Sequence, residues 1–166
     1  MYKVLLILLL LTGFLSYLPQ THGEDSLGDK IEFAVNELNI KLSQDEKWQI
    51  KQNIHSSLVN EETGEKLNVF NLSLRSKKNY VKIEVVEAET GENALKSYRN
   101  SISAISSGIR EETNEFGDGG IIVSDLPRDT AVGISFTKGN YYVSVFAGSR
   151  EAAAAFAKIV ESNIKN

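Results

Sequence analysis

Asp118, Asp125 and Asp129 stand at a D-x6-D-x3-D spacing, with Glu111, Glu112 and Glu115 just before them. Two carboxylates held about 5 to 9.5 Å apart in a cleft can share acid and base roles in hydrolysis. Several converging at about 2.4 Å can hold calcium, but this spacing matches no calcium-loop signature. The acidic set therefore offers a small carboxylate-dependent hydrolase as one reading and a solvated loop as the other. Other reactive groups are scarce. The chain has no cysteine and two histidines, His22 and His55. A Ser-His-Asp relay would have to use His55, whose place beside an apolar helix edge suits a packed or half-exposed side chain better. With so few imidazoles and no thiol, neither a metal site nor a cofactor is expected. Gly117-Asp118-Gly119-Gly120 lacks the lysine and following helix of a phosphate loop and leads into a strand instead. The residues thus argue against an enzyme and nominate no catalytic group.

The elements that must position these groups follow from periodicity. Residues 28–42 place Ile31, Ala34, Val35, Leu38 and Leu42 on one helical stripe. Ser43 and Glu46 have the spacing of a capping box, and Ile50, Ile54 and Leu58 form the apolar edge of an expected second helix. Two strands alternate next, with Phe70, Leu72 and Leu74 facing inward from one and Val81, Ile83 and Val85 from the other, joined by an RSKKN turn. Thr90-Gly91 opens a third helix carrying Ala94, Leu95, Tyr98, Ile102 and Ile105 on one face, and residues 109–119 read as a polar loop. The segment GIIVS forms a short buried strand. Val132, Ile134 and Phe136, then Tyr141, Val143 and Val145, define two more strands around a Gly139-Asn140 hairpin turn. Ser149 caps a last helix whose buried side is Phe156, Ile159 and Val160, with Glu151 in its first turn. The predicted order is ααββαβββα. This is an α+β domain with one mostly antiparallel sheet of about five strands, packed by the third and last helices. Residues 24–64 would hold a helical pair and residues 65–166 the sheet-helix body.

Alternation also defines the sheet face opposite the core. It carries Tyr80, Lys82, Glu84 and Val86, then Gly133 and Ser135, then Tyr142, Ser144 and Phe146. Aromatics among small and polar groups suit a flat ligand or a docking partner, and Tyr80, Tyr142 and Phe146 are the candidate contacts. Coverage of this face by the N-terminal helices would instead complete a three-layer α/β/α sandwich, at the cost of burying Lys82 and Glu84.

The first residues direct the chain out of the cell. Val4 to Leu18 is an uncharged leucine-rich run, too short for a comfortable membrane span and suited to a signal peptide. The LPQT at residues 18–21 looks like a wall-sorting signal but lies at the wrong end of the chain; it reads as part of the cleavage region, with the cut near Gly23. Loss of residues 1–23, and of Lys3 with them, takes the basic count from 18 to 17 against 22 acidic residues, a net charge of −5. No clustered positive field remains for nucleic acid, and no stable membrane span is expected after cleavage. An exported chain without cysteine fits a bacterial protein, periplasmic or released to the outside.

Gly117-Asp118, the run Phe136-Thr137-Lys138-Gly139-Asn140-Tyr141-Tyr142-Val143 and the alanine-bearing last helix together resemble small exported bacterial domains of the PsbP-like type. Those are α/β/α sandwiches found in lipoproteins and periplasmic proteins. The resemblance covers about residues 65–165 and implies a fold; it brings no catalytic residue, and this chain lacks the cysteine that anchors the lipoprotein members. The expected role is a non-enzymatic exported module binding a small ligand or an envelope or extracellular protein. An inhibitor or stress protein acting through the 109–119 loop is a further alternative.

Overall fold

The computed structural model describes residues 26–59, 64–105, 107–126 and 132–164. The expected signal peptide and its cleavage region lie outside them, as does Asp129. Ser26 caps helix α1, Leu27–Lys41, through a capping box with Asp29, the short side chains bonding each other's backbone N–H. Ile31 and Val35 are its buried stripe, as their spacing requires. The helix ends at Leu42, and Ser43 and Glu46 make only a turn, closed by the Glu46 N–H on the Ser43 carbonyl at 3.0 Å. Asn39 fixes the chain beyond. Its amide donates to the Trp48 carbonyl and its oxygen accepts from the Trp48 N–H, both at 2.7 Å.

The expected second helix is a strand. Residues Gln49–Val59 form β1, which pairs antiparallel with β2, Lys66–Arg75. A spacing of four is even, so Ile54 and Leu58 satisfy a period of two as well as a helical turn, while the irregularity after Ile50 turns that residue to the other face, opposite Leu74. Pairing with β2 decides between them, aided by polar cross-strand contacts such as the Ser57 hydroxyl on Asn68 at 2.8 Å. An irregularity between Ile50 and Gln52 leaves Lys51 unopposed.

Strand β3, Tyr80–Glu87, follows the expected hairpin turn, where the Ser76 N–H reaches the Asn79 carbonyl at 2.8 Å. Thr90 caps helix α2, Gly91–Ala104. The segment expected as a loop then contains another strand: β4, Ile109–Thr113, pairs with β5, Gly119–Ser124. Its polarity reflects an exposed edge position rather than a lack of structure. Strands β6, Val132–Lys138, and β7, Tyr141–Ala147, form the Gly139-Asn140 hairpin, and Ser149 caps helix α3, Arg150–Asn163.

The fold is α+β, with one fully antiparallel sheet of seven strands in the order β1-β2-β3-β7-β6-β5-β4. One face of the sheet, the packed face, carries Phe70, Leu72, Leu74, Val81, Ile83, Val85, Ile134, Phe136, Val143 and Val145 against α1 and α3. Ala153 and Ala157 are fully buried and let α3 approach the strands closely, while Phe156 and Val160 fill the space beside them. Trp48 meets Phe156 edge-on, with centroids 4.8 Å apart, and so closes the layer. Helix α2 lies on the opposite face, where Tyr98 packs over Val69, Val86 and Tyr142. Helices thus cover both faces, but α2, rather than an N-terminal pair, covers the second.

Candidate functional site

Because α2 is a single helix over a seven-stranded sheet, it leaves part of that face uncovered. A groove of about 570 Å³ opens between its C-terminal end and strands β1, β2, β3 and β7. The register builds its floor in rungs. The central rung runs Ile54, Asn71, Glu84, Ser144, and the next runs Gln52, Ser73, Lys82, Phe146. A third rung, Val69, Val86 and Tyr142, closes one end beneath Tyr98. Ser101, Ala104 and Ile105 of α2 supply the wall.

Glu84 is the unusual group here. It is half-buried at the centre of the floor, and burial holds its carboxyl above the ordinary 4.5. Its strand neighbours across the rung are Asn71 and Ser144, yet neither bonds it. Ser144 is engaged instead with Ser135, their hydroxyls 3.0 Å apart and buried. Lys82, two residues away on the same face, is exposed and forms no ion pair with it. A carboxylate partly stripped of water and given no donor favours a cationic or hydrogen-bonding ligand at that point.

Phe146 lies half-buried along the floor because Gly133 is beside it. A Cβ at Gly133 would stand 2.7 Å from the ring's Cε1. The missing side chain lets the ring lie against the sheet and keeps the groove open above it.

The expected contact residues therefore separate. Tyr80, Tyr142 and Phe146 share this face with Lys82 and Glu84, as alternation indicates. Phe146 lines the groove in reach of solvent; Tyr142 lines it from a position only 3% exposed. Tyr80 stands one rung beyond the groove, opposite Arg75. Asn71 and Ser73 were within reach of the same parity rule, lying between the inward Phe70, Leu72 and Leu74. Gln52 and Ile54 were hidden by the helical reading of β1, and the α2 wall needs tertiary packing to be seen.

The described acidic residues do not converge. Asp118 and Asp125 flank β5 at its two ends, about 23 Å apart at strand rise. Asp118 accepts the Gly139 N–H at 2.8 Å and so ties the Gly-Asp loop to the β6–β7 turn, while Glu161 of α3 accepts the Gly117 N–H at 2.7 Å. Asp125 is exposed in a left-handed conformation. His55 stacks on Phe70, centroids 4.3 Å apart, on the packed face and away from the groove. Among the described residues no group of three or more acidic or imidazole side chains gathers where a metal ion could be held, and no helix is long and apolar enough to cross a membrane.

No protein-family model, no curated protein and no solved structure matches this chain.

Proposed function

We propose that this protein is an exported, non-enzymatic binding module, periplasmic or released, that holds a small amphipathic cation in the groove beneath α2. The leader-like first residues support export. The groove supports binding, and the half-buried, unpaired Glu84 carboxylate carries the argument. A protonated amine would meet Glu84 at the floor, an aromatic or alicyclic body would lie on Phe146, and Ile54, Ala104 and Ile105 would cover its apolar edge. Asn71, Ser73 and Ser101 offer hydrogen bonds to polar substituents. None of the groove's hydroxyls hydrogen-bonds Glu84, and Ser144, its neighbour across the rung, is engaged with Ser135, which favours binding over reaction.

The test is ligand-observed NMR with a fragment set of aryl-alkyl amines, their N-acetyl derivatives and matching carboxylic acids. Tyramine-like amines should bind, their uncharged N-acetyl forms about tenfold more weakly, as the loss of a charge-assisted contact worth about 1.4 kcal/mol implies. Glu84→Gln should abolish the preference for amines, and Phe146→Ala should weaken all binders. Phe146 is the better aromatic to remove, since truncating the nearly buried Tyr142 would disturb the fold. Hits dominated by acids, or amine binding unchanged in both variants, would sink the reading.

A further inference from the structure

Strand β1 closes one side of the sheet, and among the described residues no strand pairs with its outer edge; helix α1 touches it on the packed face, where the Asn53 amide donates to Glu32 at 3.2 Å. Such an edge presents a row of unpaired N–H and C=O groups, and monomeric proteins guard it with charge, proline, shortness or cover. The far edge is guarded in this way: β4 is five residues long, IREET, and three of them are charged. β1 is eleven residues long and carries one charge, Lys51, at the irregular position. From Gln52 to Val59 the strand reads QNIHSSLV, without a charged residue or a proline, and Ile54, Leu58 and Val59 are 45%, 52% and 59% exposed.

We propose that β1 is a self-association edge, through which two copies of this chain pair antiparallel about a two-fold axis at Ser56. The sequence favours a second copy because the strand is complementary to itself. Two-fold antiparallel pairing must oppose residues of one face, so the axis has to pass at a residue. The regular edge spans residues 52–59, which leaves His55 or Ser56 at its middle. An axis at His55 sets the two imidazoles together and opposes Ile54 to Ser56 and Leu58 to Gln52. An axis at Ser56 opposes Ile54 to Leu58 twice, on either side of a Ser56–Ser56 pair, and places His55 against Ser57 on the other face. The second register opposes apolar to apolar at Ile54 and Leu58 on the face that bears the groove, with a serine pair between them. No like charges meet across it, since none are present. The pairing is isologous and closes on itself, whereas β1 joined to β4 would repeat without end and is opposed by the polar, charged β4 edge. The resulting sheet is continuous through both copies, with the two grooves on one side of it.

The experiment uses sedimentation velocity and a single introduced thiol. The purified protein should sediment as a concentration-dependent monomer–dimer mixture. Ser56→Lys and Ser56→Glu, each checked by circular dichroism for a native sheet, should each raise the dissociation constant by at least tenfold. An equimolar mixture of the two should restore the dimer, because only the mixed pair opposes unlike charges. Since the chain has no cysteine, Ser56→Cys can cross-link only to itself, and opposed Cα atoms about 4.5–5.5 Å apart permit a disulfide. It should oxidise to a covalent dimer faster than Ser57→Cys, whose thiol faces His55 of the other copy. A monomer at every concentration, or a dimer indifferent to Ser56→Lys, overturns the proposal. Equal oxidation of the two thiols overturns the register. A complex seen only with an added extended peptide would assign the edge to a foreign strand instead. Glu84→Gln leaves the dimer intact, so failure here and failure of the groove reading are separable.

Discussion

Glu84 stands where a neutral side chain would be more stable. Its carboxyl titrates above 4.5 in the folded protein because burial disfavours the charge. A raised folded value means that the group's favourable contribution is complete below pH 4.5 and is lost as pH rises through the folded value. At neutral pH the ionised carboxylate therefore weighs against folding. Glu84→Gln should raise the melting temperature at pH 7 by about 2 °C, screening of a half-exposed group allowed for, and the gain should vanish near pH 4. Scanning calorimetry at the two pH values reads the difference. A bound amine would draw the same carboxyl back down, so amine binding near pH 5 should release protons. Tyr141 shows the companion effect at the alkaline end. Its hydroxyl donates to Glu87 at 2.8 Å, and burial, with the hydrogen bond and charge of Glu87, pushes it from 10.0 up to about 12. That contribution is complete below pH 10 and disappears as pH climbs through about 12. Tyr141→Phe should cost about 1 kcal/mol at neutral pH, and the gap from the native protein should close between pH 10 and 12 in urea melts.

At the level of elements, β6 and β7 set the shape of the groove together. Gly133 on β6 leaves the Phe146 ring of β7 its place, and a methyl there would meet the far end of a movable side chain rather than backbone. Gly133→Ala should therefore keep the fold, lose about 1 kcal/mol, and weaken the amine probes by tilting the ring into their path. Adding Phe146→Ala should recover the lost stability, a coupling that paired melting experiments measure. The same scale shows where the sequence could be read and where it could not. Val81, Ile83 and Val85, like Phe70, Leu72 and Leu74, alternate without a competing period, and their strands and inward faces follow directly. Ile50, Ile54 and Leu58 recur every fourth residue, a spacing that suits a helix and a strand alike, and only pairing with β2, with its irregularity after Ile50, resolves the choice and the faces. Residues 109–113 look like a loop because an edge strand with four exposed side chains has no apolar pattern to display. The groove was half legible for the same reason. Alternation put Lys82, Glu84, Ser144 and Phe146 on its floor, but nothing local could reveal that α2 stops short of covering them.

Across the whole molecule, the unequal coverage of the two faces is the organising fact. Two helices seal the face opposite the groove, with Phe116, Phe136 and Phe156 among the fully buried side chains. One helix shields the other face, and the part it leaves bare is where both the groove and the β1 edge lie. The α+β class was readable because hairpin turns at Ser76–Asn79 and Gly139-Asn140 dictate antiparallel neighbours, whatever the final strand number. The layer assigned to each helix was not, since an amphipathic stripe says that a helix packs without saying on which side. α1 and α3, the first and last described helices, sit together behind the sheet. An affinity tag or fluorophore fused after helix α3 would therefore hang at the rear of the molecule, and a sensor chip capturing it there would present the cleft outward to the flow.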